Sequence, residues 1–156
     1  MRDIGAPTLG TQVLVGTLPT TFRLLAETVD GAFSMVEQTV EPGVLVWPHV
    51  HTMHDQVAVI LSGQLGVRVG DREWTAQPGE VVARPRHIPH TVWNDTTAAA
   101  RFIEITTPGD FEHYFHRISE LGPDDEARRA ALQEEFGITG VEGWIDSLSL
   151  RYGVTL

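Results

Sequence analysis

The chain has no cysteine among its 156 residues, which excludes a disulfide framework and any thiolate metal ligand. It also lacks an apolar run of about 18 residues, so no membrane-spanning helix is expected. Basic residues are scarce, eleven against twenty-one acidic ones, for a net charge of −10. Apart from Arg84/Arg86 and Arg128/Arg129 they are scattered, whereas nucleic-acid phosphates need clustered Lys and Arg. Met1 to Gly10 have neither the basic start nor the apolar stretch of a secretory signal, so the expected location is cytoplasmic. What is present is 42% hydrophobic residues, fifteen glycines and nine prolines. That composition suits a single domain of short strands and tight turns. Its expected partners are small molecules rather than nucleic acid or membrane.

From Thr11 to Thr107 the chain reads as β-branched and aromatic runs broken at short intervals by turn residues. Strands are expected at Gln12–Gly16, Phe22–Thr28, Phe33–Val40, Val44–His51, Gln56–Leu61, Gln64–Val69, Glu73–Ala76, Glu80–Arg84, His90–Asn94 and Ala100–Thr107. Asp30-Gly31 carries a type I′ hairpin signal. Even spacing of short strands points to an antiparallel sandwich or barrel. After Pro108 the period changes. Phe111, Tyr114, Phe115, Ile118 and Leu121 follow an amphipathic helix, with Asp110 placed to cap it. A second helix is expected from Pro123 or Asp124 to Phe136, ended by Gly137 in a left-handed cap. In the tail, Trp144, Ile145, Leu148 and Leu150 are expected to be buried. The expected organisation is an all-β unit over residues 1–108, with residues 109–156 as a helical appendix on the same domain.

His49-Val50-His51 has the period of a strand, so both imidazoles point to one face. Gln56 opens the next strand, and His90 begins another. Three histidines on strands that share an interior make a first shell for a divalent transition metal, since neutral imidazole suits Zn, Fe, Ni, Co and Cu. A His-x-His pair on its own is a weak signal.

The segment Gly43-(x)5-His49-x-His51-(x)4-Gln56-(x)6-Gly63 resembles the first motif of the cupin superfamily, with Gln56 where the family has Glu. The segment Gly79-(x)5-Pro85-x-His87-(x)2-His90-(x)3-Asn94 resembles the second, with His87 where the family usually has Gly. The run Thr107 to Phe115 is similar to that of small quercetin-dioxygenase-like cupins. The resemblance implies a jelly-roll β-barrel that holds one divalent metal (Zn, Fe, Ni, Co, Mn or Cu) through His49, His51, His90 and the Gln56 position. It also implies a homodimer, for which Gln12–Gly16, Trp144, Leu148 and Leu150 are the expected contacts.

Other residues carry two readings each. Glu37 and Glu104 lie on alternating strands; facing the pocket, either is a candidate general base, and facing outward, a solvated carboxylate. His54 is either an extra ligand or a proton shuttle, or else a partly exposed loop histidine. His87, in place of a turn glycine, marks an unusual backbone angle. Trp47, Ala58, Ile60, Val92 and Phe102 share the parity of the ligand strands and are expected to line an apolar cavity.

Three neutral imidazoles and a neutral amide leave a bound ion its full double charge, which favours Lewis-acid action on a substrate oxygen. The expected function is therefore redox-neutral: isomerisation, cyclisation or elimination of a small oxygenated molecule through a metal-bound enolate. The alternatives are a quercetinase-like metal-dependent dioxygenase and a non-catalytic small-ligand-binding cupin.

Overall fold

The computed structural model of the chain describes residues 5–156. The first four residues of the expected 1–108 unit, and of the stretch Met1 to Gly10, lie outside them. Eleven strands are present among the described residues: β1 (Gln12–Val15), β2 (Leu18–Leu24), β3 (Ser34–Val40), β4 (His49–His51), β5 (Asp55–Ser62), β6 (Leu65–Val69), β7 (Arg72–Ala76), β8 (Val81–Arg84), β9 (His90–Trp93), β10 (Ala100–Thr107) and β11 (Ile138–Gly140). Three helices follow the strand-rich part, α1 (Glu112–Ser119), α2 (Glu126–Glu135) and α3 (Ile145–Tyr152).

The ladders form two antiparallel sheets, β1-β2-β3-β10-β5-β8 and β11-β4-β9-β6-β7. Val40, Ala58, Ile60, Ala100 and Phe102 from the first pack with Leu65, Val67 and Val92 from the second in one buried cluster. The sheets thus face each other as a sandwich, and no ladder joins them among the described residues. Alternation decides what points inward. In β3 the buried positions are Ser34, Val36, Gln38 and Val40; in β10 they are Ala100, Phe102, Glu104 and Thr106. Glu37 and Glu104 therefore fall on opposite sides of their sheet.

Several expected elements differ. Where Phe22–Thr28 was expected as one strand, β2 begins at Leu18 and stops at Leu24, and Ala26–Val29 form a 3-10 turn. Asp30 (φ 54°) and Gly31 (φ 79°) end that turn instead of joining two strands. The Asp30 N–H satisfies Ala26 O there. Only the last three residues of Val44–His51 form a ladder strand, because Pro48 has no N–H to offer it. Asp110 caps no helix: α1 is preceded by a 3-10 turn over Gly109–Phe111, and the Asp110 carboxylate bonds His54 instead. Gly137 ends α2 at φ 65°.

In the tail Leu148 is buried, Trp144 and Ile145 are half-buried, and Leu150 is 90% exposed. Two positions along a helix turn a side chain about 200°, so Leu148 and Leu150 cannot both face inward. The strand β11 was not expected. It pairs with β4 in the register Ile138↔His51, Thr139↔Val50, Gly140↔His49. No helix of the described residues is long and apolar enough to cross a membrane.

Candidate metal centre

Strand β4 presents His49 and His51, and β9 brings His90 opposite His49 in antiparallel register. One nitrogen from each of the three rings lies within 4.8 Å of the others. His49 Nδ1 donates to Trp47 O at 2.6 Å, and His90 Nδ1 to Ile88 O at 3.1 Å. A carbonyl only accepts, so both rings carry their proton on Nδ1 and present a bare Nε2. His49 Nε2 and His51 Nε2 are 3.0 Å apart. One shared proton satisfies that pair, but His90 Nε2 is buried with no protein partner. A divalent ion held by His49, His51 and His90 would answer all three lone pairs at once.

The three rings resist protonation. Burial, with the neighbouring Arg84 charge, holds His49 down to about 4 despite its bond to Trp47 O. Burial, then His49 and Arg84, holds His51 down to about 2. Burial, then His49 and Arg84, holds His90 well below the usual histidine range. Neutral imidazole is the ligating form, so the environment keeps these rings ready for a cation at neutral pH.

Gln56 faces the same interior from β5. Its Nε2 donates to Glu104 Oε1 at 2.5 Å, and Arg84 Nη2 donates to Glu104 Oε2 at 2.5 Å. All three side chains are buried. An ionised carboxylate only accepts, so it turns the amide nitrogen toward itself and leaves Gln56 Oε1 as a buried acceptor without a partner. A carbonyl oxygen so placed suits a divalent cation.

A cavity of about 550 Å³ runs past this centre, large enough for a drug-sized molecule. His49, His51, Gln56, Arg84 and Glu104 supply the polar part of its wall next to the histidines. Trp47, Val92 and Phe102 line it as expected from their parity, whereas Ala58 and Ile60 do not. Those two sit further along β5, packed into the core between the sheets. The C-terminal helices add to the wall, through Phe111, Tyr114, Phe115 and Ile118 of the α1 region and one face of α2.

The three candidate bases are placed differently. Glu37 is away from the cavity, held outside the sheet by Arg23 and Arg101, whose charges keep its carboxyl below the usual range. Glu104 lines the cavity with both oxygens engaged. His54 is buried rather than partly exposed; its Nε2 meets Asp110 Oδ1 at 2.7 Å, and its ring packs on Phe111 at 4.9 Å. His87 takes a φ of 67°, the backbone angle at which a glycine is easiest. Arg84 was not singled out from the sequence. The alternation Val81 out, Val82 in, Ala83 out, Arg84 in is its only signal there.

The family described as Cupin domain matches residues 36–106. A Cupin 2 conserved barrel domain protein from Salinispora arenicola is 21% identical, with a TM-score of 0.54 over 62% of this chain and 80% of that one. A predicted oxalate decarboxylase from Thermotoga maritima is 18% identical, with a TM-score of 0.54 over 57% and 78% of the two chains. KdgF from Halomonas sp. is 18% identical, with a TM-score of 0.52 over 58% and 78%. At these identities the solved structures share the fold. No curated protein matches the chain.

Proposed function

We propose, from the match of residues 36–106 to the family described as Cupin domain, that this chain is a metal-dependent enzyme acting on a small oxygenated organic molecule by redox-neutral chemistry. The observation that carries the reading is His90 Nε2: buried, unpartnered, and grouped with the nitrogens of His49 and His51 beside a cavity. His49, His51 and His90 would hold the ion, with Gln56 Oε1 as fourth donor. Bound there, a divalent metal supplies Lewis acidity toward a carbonyl, enol or hydroxyl oxygen.

The protein's own groups have separable tasks. Trp47 O and Ile88 O fix the tautomers of His49 and His90. The Arg84–Glu104 pair fixes the orientation of the Gln56 amide. Trp47 stacks on His49 with ring centroids 5.8 Å apart, and with Val92 and Phe102 it keeps water from the inner wall. Glu104 is the one expected carboxylate on the cavity wall, and accepting a substrate proton would require it to loosen its bond to Gln56.

One observation favours a second reading, a binding protein without turnover. Glu37 faces away, Glu104 is doubly engaged and His54 sits behind Phe111, so no expected base has a free atom on the cavity.

Elemental analysis of protein purified without a His tag tests the metal reading. About one divalent ion per chain is expected, with occupancy falling sharply in His49→Ala, His51→Ala and His90→Ala while the melting transition stays cooperative. Equal metal content in all four proteins would defeat it. Consumption of a co-purified or screened ligand then separates enzyme from binding protein, and oxygen dependence would favour a dioxygenase.

A further inference from the structure

On α2, Glu126, Arg129, Ala130 and Gln133 line the cavity, the i, i+3, i+4, i+7 face of one helix. The face is polar, unlike the aromatic wall that α1 contributes. Its central residue is unusual in this chain. All eleven basic residues are arginines. Among the described residues, Arg23, Arg68, Arg84, Arg86, Arg101, Arg117, Arg128 and Arg151 each pair with a carboxylate. Arg72 lies over the Trp74 ring at 5.3 Å. Among the described residues no carboxylate pairs with Arg129 within 4.0 Å, in a chain with nearly twice as many acidic as basic residues. Its Nη2 donates to Gly122 O at 3.0 Å, which holds the guanidinium in place and leaves its other N–H groups uncommitted. The nearby Asp125 is taken by Gly122 N and Arg128.

The other cation on the cavity wall, Arg84, is neutralised by Glu104. Among the described residues, Arg129 is thus the guanidinium that faces the cavity without a paired anion. Much of the wall it shares with the histidines is apolar, including Phe111, Phe115 and Ile118.

We infer that Arg129 is a specificity residue that receives the carboxylate of an organic acid whose apolar body occupies the cavity. Gln133 and Tyr114 line the cavity beside it as further hydrogen-bonding groups. This assignment rests on the cavity being the substrate site, and it adds a class of substrate: a small carboxylic acid with an apolar or aromatic body. Glu126, on the same face, bars dianions by repulsion and keeps the subsite to a single negative charge.

The probes are 3-phenylpropanoate and its neutral isostere 3-phenylpropanamide, titrated calorimetrically into zinc-loaded and metal-stripped protein. The native protein is expected to bind the acid roughly tenfold more tightly than the amide, as a charge-assisted bond to a partly desolvated guanidinium implies. Arg129→Gln should abolish that preference in both forms while leaving zinc affinity unchanged. Because Arg129 also holds Gly122 O, Arg129→Lys serves as the folding control and should keep part of the preference. Glu126→Gln should tighten acid binding further.

An acid-to-amide ratio in Arg129→Gln equal to that of the native protein overturns the assignment, as does the absence of any preference in the native protein. Failure of the metal reading is separate. It shows as no zinc uptake, and the metal-stripped titrations still decide the role of Arg129.

Discussion

Replacing Gln56 by glutamate sets two carboxylates against each other, because the Gln56 amide donates to Glu104 Oε1 at 2.5 Å. From sequence alone the family's usual glutamate would be expected to tighten metal binding through its charge. The surrounding network reverses that expectation. Gln56→Glu should lower stability by about 1–3 kcal/mol, the cost of a broken buried hydrogen bond and an uncompensated charge. It should also bring no gain in zinc affinity. Combining it with Glu104→Gln moves the charge without adding one, and the pair should recover most of the loss. Melting curves and zinc titrations of the two single variants and the double variant check this; additive losses would mean the residues are not coupled.

Protonation gives a second test at this scale. His49, His51 and His90 all titrate below the ordinary histidine value when folded, chiefly because they are buried. The unfolded chain therefore binds protons first as pH falls. Metal-free protein should be most stable above about pH 6.5 and lose stability from there down through about pH 4. Denaturant midpoints of chelator-treated protein at pH 7.5, 6 and 5 measure it, and a flat profile would contradict the described burial. The histidines were legible because strand period and motif spacing are local. The Arg84–Glu104–Gln56 network was not, since its members come from three strands whose order in the sheet no local pattern reveals.

At the scale of elements, the helices after residue 108 are walls of the cavity as much as an appendix to the sandwich. Phe111 is 1% exposed and lies 5.0 Å from the His51 ring and 4.9 Å from Tyr114, centroid to centroid. Phe111→Ala should cost about 3–5 kcal/mol, as large-to-small changes in a packed aromatic cluster do. It should also weaken zinc binding by freeing His51. A denaturant midpoint that falls with an unchanged slope, together with a lower zinc affinity, is the expected pair of results.

The long alternating strands β3, β5 and β10 could be read to within a residue or two, because period-two burial is written in the sequence. The stretch from Phe22 to Gly31 could not. Its β-branched residues fit a strand, and only the tertiary setting makes Ala26–Val29 turn. The three-residue strand β11 was equally hidden. A run so short has no period, and it exists because β4 offers it an edge.

For the molecule as a whole, we expect a homodimer, with its contacts revised. Leu148 is fully buried within the chain, and Trp144 packs under Arg68, whose guanidinium carbon is 3.8 Å from the indole centroid. Leu148 is therefore not free to meet a second copy, and one face of Trp144 is already covered. The outermost strand β1, with Leu14 58% exposed, and Leu150 on α3 are left. Sheet edges of this kind are protected by pairing or by charge. Light scattering should report twice the 17.2 kDa of one chain, and Leu14→Lys should shift it toward the single mass. A native mass of one chain would leave the β1 edge unpaired.

The pairing of β11 with β4 also sets an order of assembly as the chain leaves the ribosome. His49 and His51 emerge early, and His90 follows with β9. Yet β4 meets β9 at a single residue pair and gains its three-residue ladder only when Ile138–Gly140 have been made. Until then the strand that bears two of the three imidazoles has one flank open, and the α1 and α2 walls are still unfinished. An ion held by these histidines should therefore be captured only after Ile138–Gly140 have been made and have docked on β4, from whatever pool of metal surrounds the folded site.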